Sequence, residues 1–170
     1  MSDRANKQTR ILFKKYELDK NHDVFASQKQ GYQIITRFGI EKIQRIEDIK
    51  VSYEVITASK DYVLIKCIAS KGTKNIETFG SATRGDFQEI EAKARNGKKY
   101  IKKKLVGGST DSWYVAEIAE KRALSRAVLK MCDLYEVGVF GEDENPNDLG
   151  PKSDQNKDDS DSVIDSILNE

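Results

Sequence analysis

Histidine is nearly missing from this chain: His22 is the only one in 170 residues. It has no metal ligand or triad partner near it in sequence, so it reads as a surface residue, and no nucleophile–base pair can be assembled around it. Cysteine is almost as scarce. Cys67 and Cys132 lie in apolar patterns without metal-ligand spacing and read as buried free thiols. No apolar run approaches the ~20 residues of a membrane span. The opening Met-Ser-Asp-Arg-Ala-Asn-Lys carries no apolar signal core, which points to a cytoplasmic protein. Gly107-Gly108-Ser109-Thr110 offers backbone amides suited to a phosphate, but no Walker-type Lys-Ser/Thr follows, so neither nucleotide hydrolysis nor a cofactor is expected. Helix-turn-helix and zinc-finger patterns are missing too, which removes the usual means of reading base sequence.

Charge, by contrast, is plentiful and unevenly placed. The net charge is only +1, yet residues 141–170 hold ten acidic and two basic residues, leaving 27 basic and 18 acidic in 1–140. A body at +9 joined to a segment at −8 suits a polyanionic partner for the body. Residues 141–170 contain both prolines with many Asp, Asn and Ser, and read as a disordered acidic tail separate from a 1–140 domain. Val163, Ile164, Ile167 and Leu168 give its tip an amphipathic face suited to docking on a replication or recombination protein.

The strongest helical signal runs from Ser112 to Tyr135. Ala116, Ala123, Leu124, Ala127, Val128, Met131, Leu134 and Tyr135 share one broad sector, joined by Trp113 at the entry. Arg122, Arg126 and Lys130 stack four apart as a basic strip beside the small residues Ala119 and Ala123, an arrangement that suits phosphates. Glu120 falls inside the apolar sector and requires a cationic partner there. Ile118, Leu129 and Cys132 form a second apolar flank, which one sheet cannot cover and which is expected to meet a neighbouring protomer.

Before this helix the patterning is short and regular. Gly31 to Thr36 reads as a strand, with Thr36 capping a helix from Arg37 to about Ile46. Ile49 to Thr57 alternates, with Ile49, Val51, Tyr53 and Val55 on one face. Tyr62 to Ser70 is apolar on both faces except at Lys66, as in a central strand covered on both sides, and a third strand runs from Lys74 to about Ala82. The expected class is α+β: a short helix, a three-stranded antiparallel meander, and one long helix packed across the sheet.

The connection from Thr83 to Asp111 is unusually long. It reads as a short helix from Asp86 to Ala94, followed by a basic loop. Lys93, Arg95, Lys98, Lys99, Lys102, Lys103 and Lys104 occur there without an intervening acid, and Tyr100 stands among them. Gly107-Gly108 reads as a hinge, with Ser109, Thr110 or Asp111 capping the long helix. Cations interleaved with Tyr100, Trp113 and Tyr114 match what single-stranded nucleic acid requires: a charged track and aromatic faces. The expected track joins this lysine segment to the helix strip. Glu91-Ala-Lys93 with Asp86 also fits, weakly, the E-x-K half of a metal-dependent nuclease.

Four segments together resemble the single-strand annealing proteins, the phage and mobile-element annealing recombinases and the ring-forming eukaryotic Rad annealing protein. They are Ile34-Ile35-Thr36-Arg37 with Gly39, Tyr62-Val63-Leu64-Ile65-Lys66, Phe79-Gly80-Ser81-Ala82, and Ala119-Glu120-Lys121-Arg122-Ala123-Leu124-Ser125-Arg126-Ala127, across roughly 24–140. The resemblance implies ATP-independent binding and annealing of single-stranded DNA in homologous recombination, by a homo-oligomer forming a ring or filament. It implies backbone contacts from Arg122 and Arg126, and brings Lys66 and Arg37, inside the matched segments, among the candidate contacts. This chain has Leu129 where the family often has arginine, and a longer lysine segment. The alternatives are the nuclease of Asp86, Glu91 and Lys93, and an oligomeric nucleic-acid-binding protein that does not anneal.

Overall fold

In the computed structural model, described over residues 7, 10–26, 33–94 and 97–144, the chain is α+β. Strands β1 (Val24–Ala26) and β2 (Gln33–Ile35) precede helix α1 (Arg37–Ile46). The meander follows: β3 (Lys50–Ala58), β4 (Tyr62–Lys71) and β5 (Lys74–Thr83), in the order β3-β4-β5. After it come β6 (Asp86–Lys93), β7 (Lys99–Val106), α2 (Val115–Met131) and β8 (Val139–Gly141), the last pairing in parallel with β2. A π-helical turn, Arg10–Lys15, lies ahead of β1.

Local chemistry accounts for most of these elements. The Thr36 hydroxyl accepts from the Gly39 amide, closing the N-terminus of α1. Gly72, at φ 57°, turns β4 into β5 at low cost. Val51, Tyr53 and Val55 pair with Ala69, Cys67 and Ile65, so the alternating residues of β3 share the helix-facing side of the sheet. The helix α2 crosses β5 where Gly80 removes the obstacle of a side chain. A Cβ there would fall 2.0 Å from the Ala119 carbonyl oxygen and 2.4 Å from the Ala123 nitrogen. Thr78 completes the seam by donating to the Ala123 carbonyl at 2.8 Å. Glu47, at the end of α1, gathers Lys15, Lys71 and the Tyr16 hydroxyl. Burial opposes its charge, but these three donors bring its carboxyl down to about 2.

Several expectations are corrected. The helix is shorter than Ser112–Tyr135: it starts at Val115 with no side-chain cap, and Tyr135–Val137 is a separate 3-10 turn. Ser109 bonds instead to the Thr83 backbone, and Trp113 stands 58% exposed, outside the core. The second flank of α2 faces its own chain. Leu129 is fully buried, Ile118 and Cys132 pack on the core, and Ser125 lies beside Gly141 of β8. A helix apolar on two flanks here lies between the meander on one side and α1 with the small sheet on the other, so that flank gives no support for a neighbouring protomer.

β4 is central, but only Val63, Ile65, Cys67 and Ala69 are buried; Tyr62, Leu64, Lys66 and Ile68 face outward and are half-exposed. The tail boundary moves as well. Gly141 belongs to β8 and the Glu142 amide bonds to Ile35, so the folded body continues to Glu144. The amphipathic tip and the rest of the proposed tail, 145–170, lie outside the described residues.

Candidate nucleic-acid interface

The segment expected as a short helix and a basic loop is a two-stranded ribbon. β6 and β7 pair antiparallel from Asp86↔Val106 to Lys93↔Lys99. Their principal packing is against each other. Two glycines make the root possible: a Cβ on Gly85 would meet the Gly108 nitrogen at 2.5 Å, and one on Gly108 would meet the Gly85 nitrogen at 2.3 Å. Gly108 is therefore a close backbone crossing with Gly85 rather than a hinge, and Gly107, at φ 80°, turns the chain beside it in open space. The amides of Ser109 and Thr110 both donate to Thr83 O, which removes them from a phosphate cradle.

Strand alternation sorts the cations of the ribbon onto two faces. Tyr100, Lys102 and Lys104 share one face with Ala92, Ile90 and Gln88 opposite them. Lys102 and Lys104 lie about 7 Å apart along the strand, and the only acid on their face is Asp86 at the root. Lys93, Lys99 and Lys103 occupy the other face, where Glu89 stands opposite Lys103 and Glu91 binds Lys99 at 3.1 Å. Lys98 to Lys104 are exposed throughout. Among the described residues Lys102, Lys103 and Lys104 form no ion pair.

The helix strip has a different use. Arg122 donates to Ser81 O at 2.7 Å and to the Ser109 hydroxyl at 3.1 Å, and Arg126 donates to Phe79 O at 2.6 Å. Ser81 and Phe79 sit on β5, an edge strand of the meander, so the two guanidinium groups cover carbonyls on its open side. Arg126 also meets Glu144 at 3.2 Å, a carboxylate that accepts from the Tyr135 hydroxyl. Lys121 pairs with Glu142 and Asp143. Burial holds the Asp143 carboxyl above its ordinary range, against the pull of Lys121 and Arg122. The start of the acidic segment is thus folded onto the helix it was expected to leave. Lys130 alone of the strip is exposed, and forms no ion pair among the described residues.

The other two candidates lie apart from the strip. Lys66 is on the outer face of the sheet, away from α2, and pairs with Glu54 and Glu77. Arg37 is the cation that Glu120 requires, at 2.9 Å, and also binds Glu41. Burial works against its charge, but the two carboxylates raise its affinity for the proton above the ordinary value. Among the described residues the strip reaches the root of the ribbon through Arg122 with Ser109, and the most open charge is on the ribbon. Asp86 and Glu91, five apart along β6, fall on opposite faces and do not converge on one ion.

Two functional-looking residues escaped the sequence reading. Arg84, one residue past β5, holds its guanidinium 3.6 Å from the Trp113 ring centroid, and the Lys60 amine lies at 5.2 Å. Neither cation belongs to a run, and only the fold brings them to one indole. No family model, curated protein or solved structure matches this chain.

Proposed function

We propose that this chain binds single-stranded DNA through the β6–β7 ribbon and anneals complementary strands without ATP, as a recombination protein. The observation that carries the reading is an exposed ribbon with its lysines in the open and almost no apolar support from its own body. A lone two-stranded ribbon is marginally stable in water, and aligned lysines repel one another. A polyanion wound around the ribbon, with Tyr100, Lys102 and Lys104 on one face and Lys99 and Lys103 on the other, relieves both costs. Phosphate contact without base readout is the natural mode of such a surface.

The order of α1, meander, long connection and α2 agrees with the one the resemblance implies, which supports annealing over simple coating. Assembly into a ring or filament rests on the resemblance alone, now that the second flank of α2 is covered within the chain. A protein partner for residues 145–170 and a cytoplasmic location belong to the same proposal. No helix among the described residues is long and apolar enough to cross a membrane.

Titrating a labelled single strand with the full chain at several salt concentrations tests the binding. Four to six phosphate contacts predict a slope of log K against log salt of about −3 to −4, at ~0.7 per contact. A slope shallower than about −1 would remove the ribbon from consideration. Shortening of the strand with Mg²⁺ on a denaturing gel, lost in Glu91→Gln, would favour the nuclease.

A further inference from the structure

Trp113 and Tyr114 stand just before α2 at 58% and 69% exposure, although large aromatic rings usually contribute most when buried. The indole is nonetheless held in place. Arg84 lies over it, and Arg84 is itself fixed from several directions. Its amide donates to Asp61 O at 2.7 Å, and its guanidinium pairs with Asp61 at 3.7 Å and Asp86 at 3.3 Å. Its backbone bridges to Thr110. Lys60, from the β3–β4 turn, adds a second cation beside the ring. The β3–β4 turn, the ribbon root and the approach to α2 therefore converge on one exposed aromatic surface.

Arg84 backs one face of the indole with its own charge met by Asp61 and Asp86, while the ring as a whole stays largely exposed. Lys60 forms no ion pair among the described residues, so the open ring surface offers a π-face for a base and Lys60 positive charge for its phosphate. We propose that Trp113, with Arg84 and Lys60, forms a nucleobase-stacking site for single-stranded nucleic acid at the root of the ribbon. The inference rests on the single-strand reading above and adds to it a base contact, which the lysines do not supply. A strand lying along the ribbon would then be anchored by one stacked base, with the remaining contacts made to its phosphates. The competing role for the same geometry is a staple between the end of β5 and the start of α2.

Trp113 is the one tryptophan of the chain, so its emission reports on this site directly. Full-length protein is titrated at low salt with oligothymidylate and with an abasic deoxyribose-phosphate strand of equal length. Anisotropy of an end label follows binding independently. The site predicts that oligothymidylate quenches Trp113 emission strongly while the abasic strand binds with little quenching. In Trp113→Ala, affinity for oligothymidylate should fall by roughly tenfold or more and affinity for the abasic strand by less than about twofold. Trp113→Phe should retain most of the binding. Binding with unchanged emission overturns the site, as does an equal loss for both strands in Trp113→Ala. Absence of binding by anisotropy for either strand removes the single-strand reading itself, and the site with it.

Discussion

Changing Lys99, Lys102, Lys103 and Lys104 together to glutamine is expected to weaken single-strand binding by about two to three orders of magnitude at ~0.1 M salt. The same variant should lose about 2.8 from the slope of log K against log salt, four contacts at ~0.7 each. The fold should survive. All four side chains are exposed, and among the described residues only Lys99 forms an ion pair, an exposed one with Glu91 of the kind that contributes at most about 1 kcal/mol. Arg122 and Arg126 are poorer tests of binding, because they hold β5 carbonyls and their loss disturbs the sheet edge. Equal slopes for the lysine variant and the parent chain, both folded by circular dichroism, would show that the ribbon is not the phosphate-binding surface.

Gly80→Ala adds a single methyl group and is expected to be among the most damaging substitutions in the body. That methyl would stand 2.0 Å from the Ala119 carbonyl oxygen and 2.4 Å from the Ala123 nitrogen, both backbone atoms of α2. No rotamer change relieves such a contact, so the helix has to move off β5, and with it the seam that Thr78 closes. A cost of about 3 kcal/mol, at the upper end for overpacking, corresponds to a fall of roughly 10 °C in Tm for a body of this size. A thermal melt checks it, and a Tm within about 2 °C of the parent would mean that α2 does not cross the sheet at this point.

The meander and α1 were legible because each carries a local signal. Alternation in β3, the glycine turn at Gly72 and the Thr36 cap all leave a mark on the sequence, although β3 itself stays largely exposed and only β4, β5 and α1 bury one face. The ribbon buries neither face, so nothing enforces alternation, and Asp86 to Ala94 with its Glu, Ala and Lys looks helical. Asn96-Gly97 was the one local sign of a hairpin. Composition misled at the other end. Glu142, Asp143 and Glu144 look like the solvated start of a tail, yet they neutralise Lys121 and Arg126, partners separated from them by many residues. The same long-range blindness hid the purpose of the second flank of α2, whose cover comes from α1 and β8. Among the candidate contacts, the lysines of 98–104 were found by density alone and proved exposed. Arg122 and Arg126, found by their helical spacing, and Arg37 and Lys66, brought in by the resemblance, proved to be engaged in holding the fold.

Annealing in dilute solution is slow because two polyanions must meet and then search for register. A lysine ribbon that neutralises phosphates and leaves most bases free lessens both obstacles with no nucleotide consumed. The most direct measurement is the rate at which a fluorophore-labelled strand and its quencher-labelled complement pair, with the full chain present and ATP omitted. Pairing well above the spontaneous rate is expected, slowed toward that rate in the Lys99, Lys102, Lys103 and Lys104 variant. Tight binding of the single strand with pairing no faster than in its absence would contradict it.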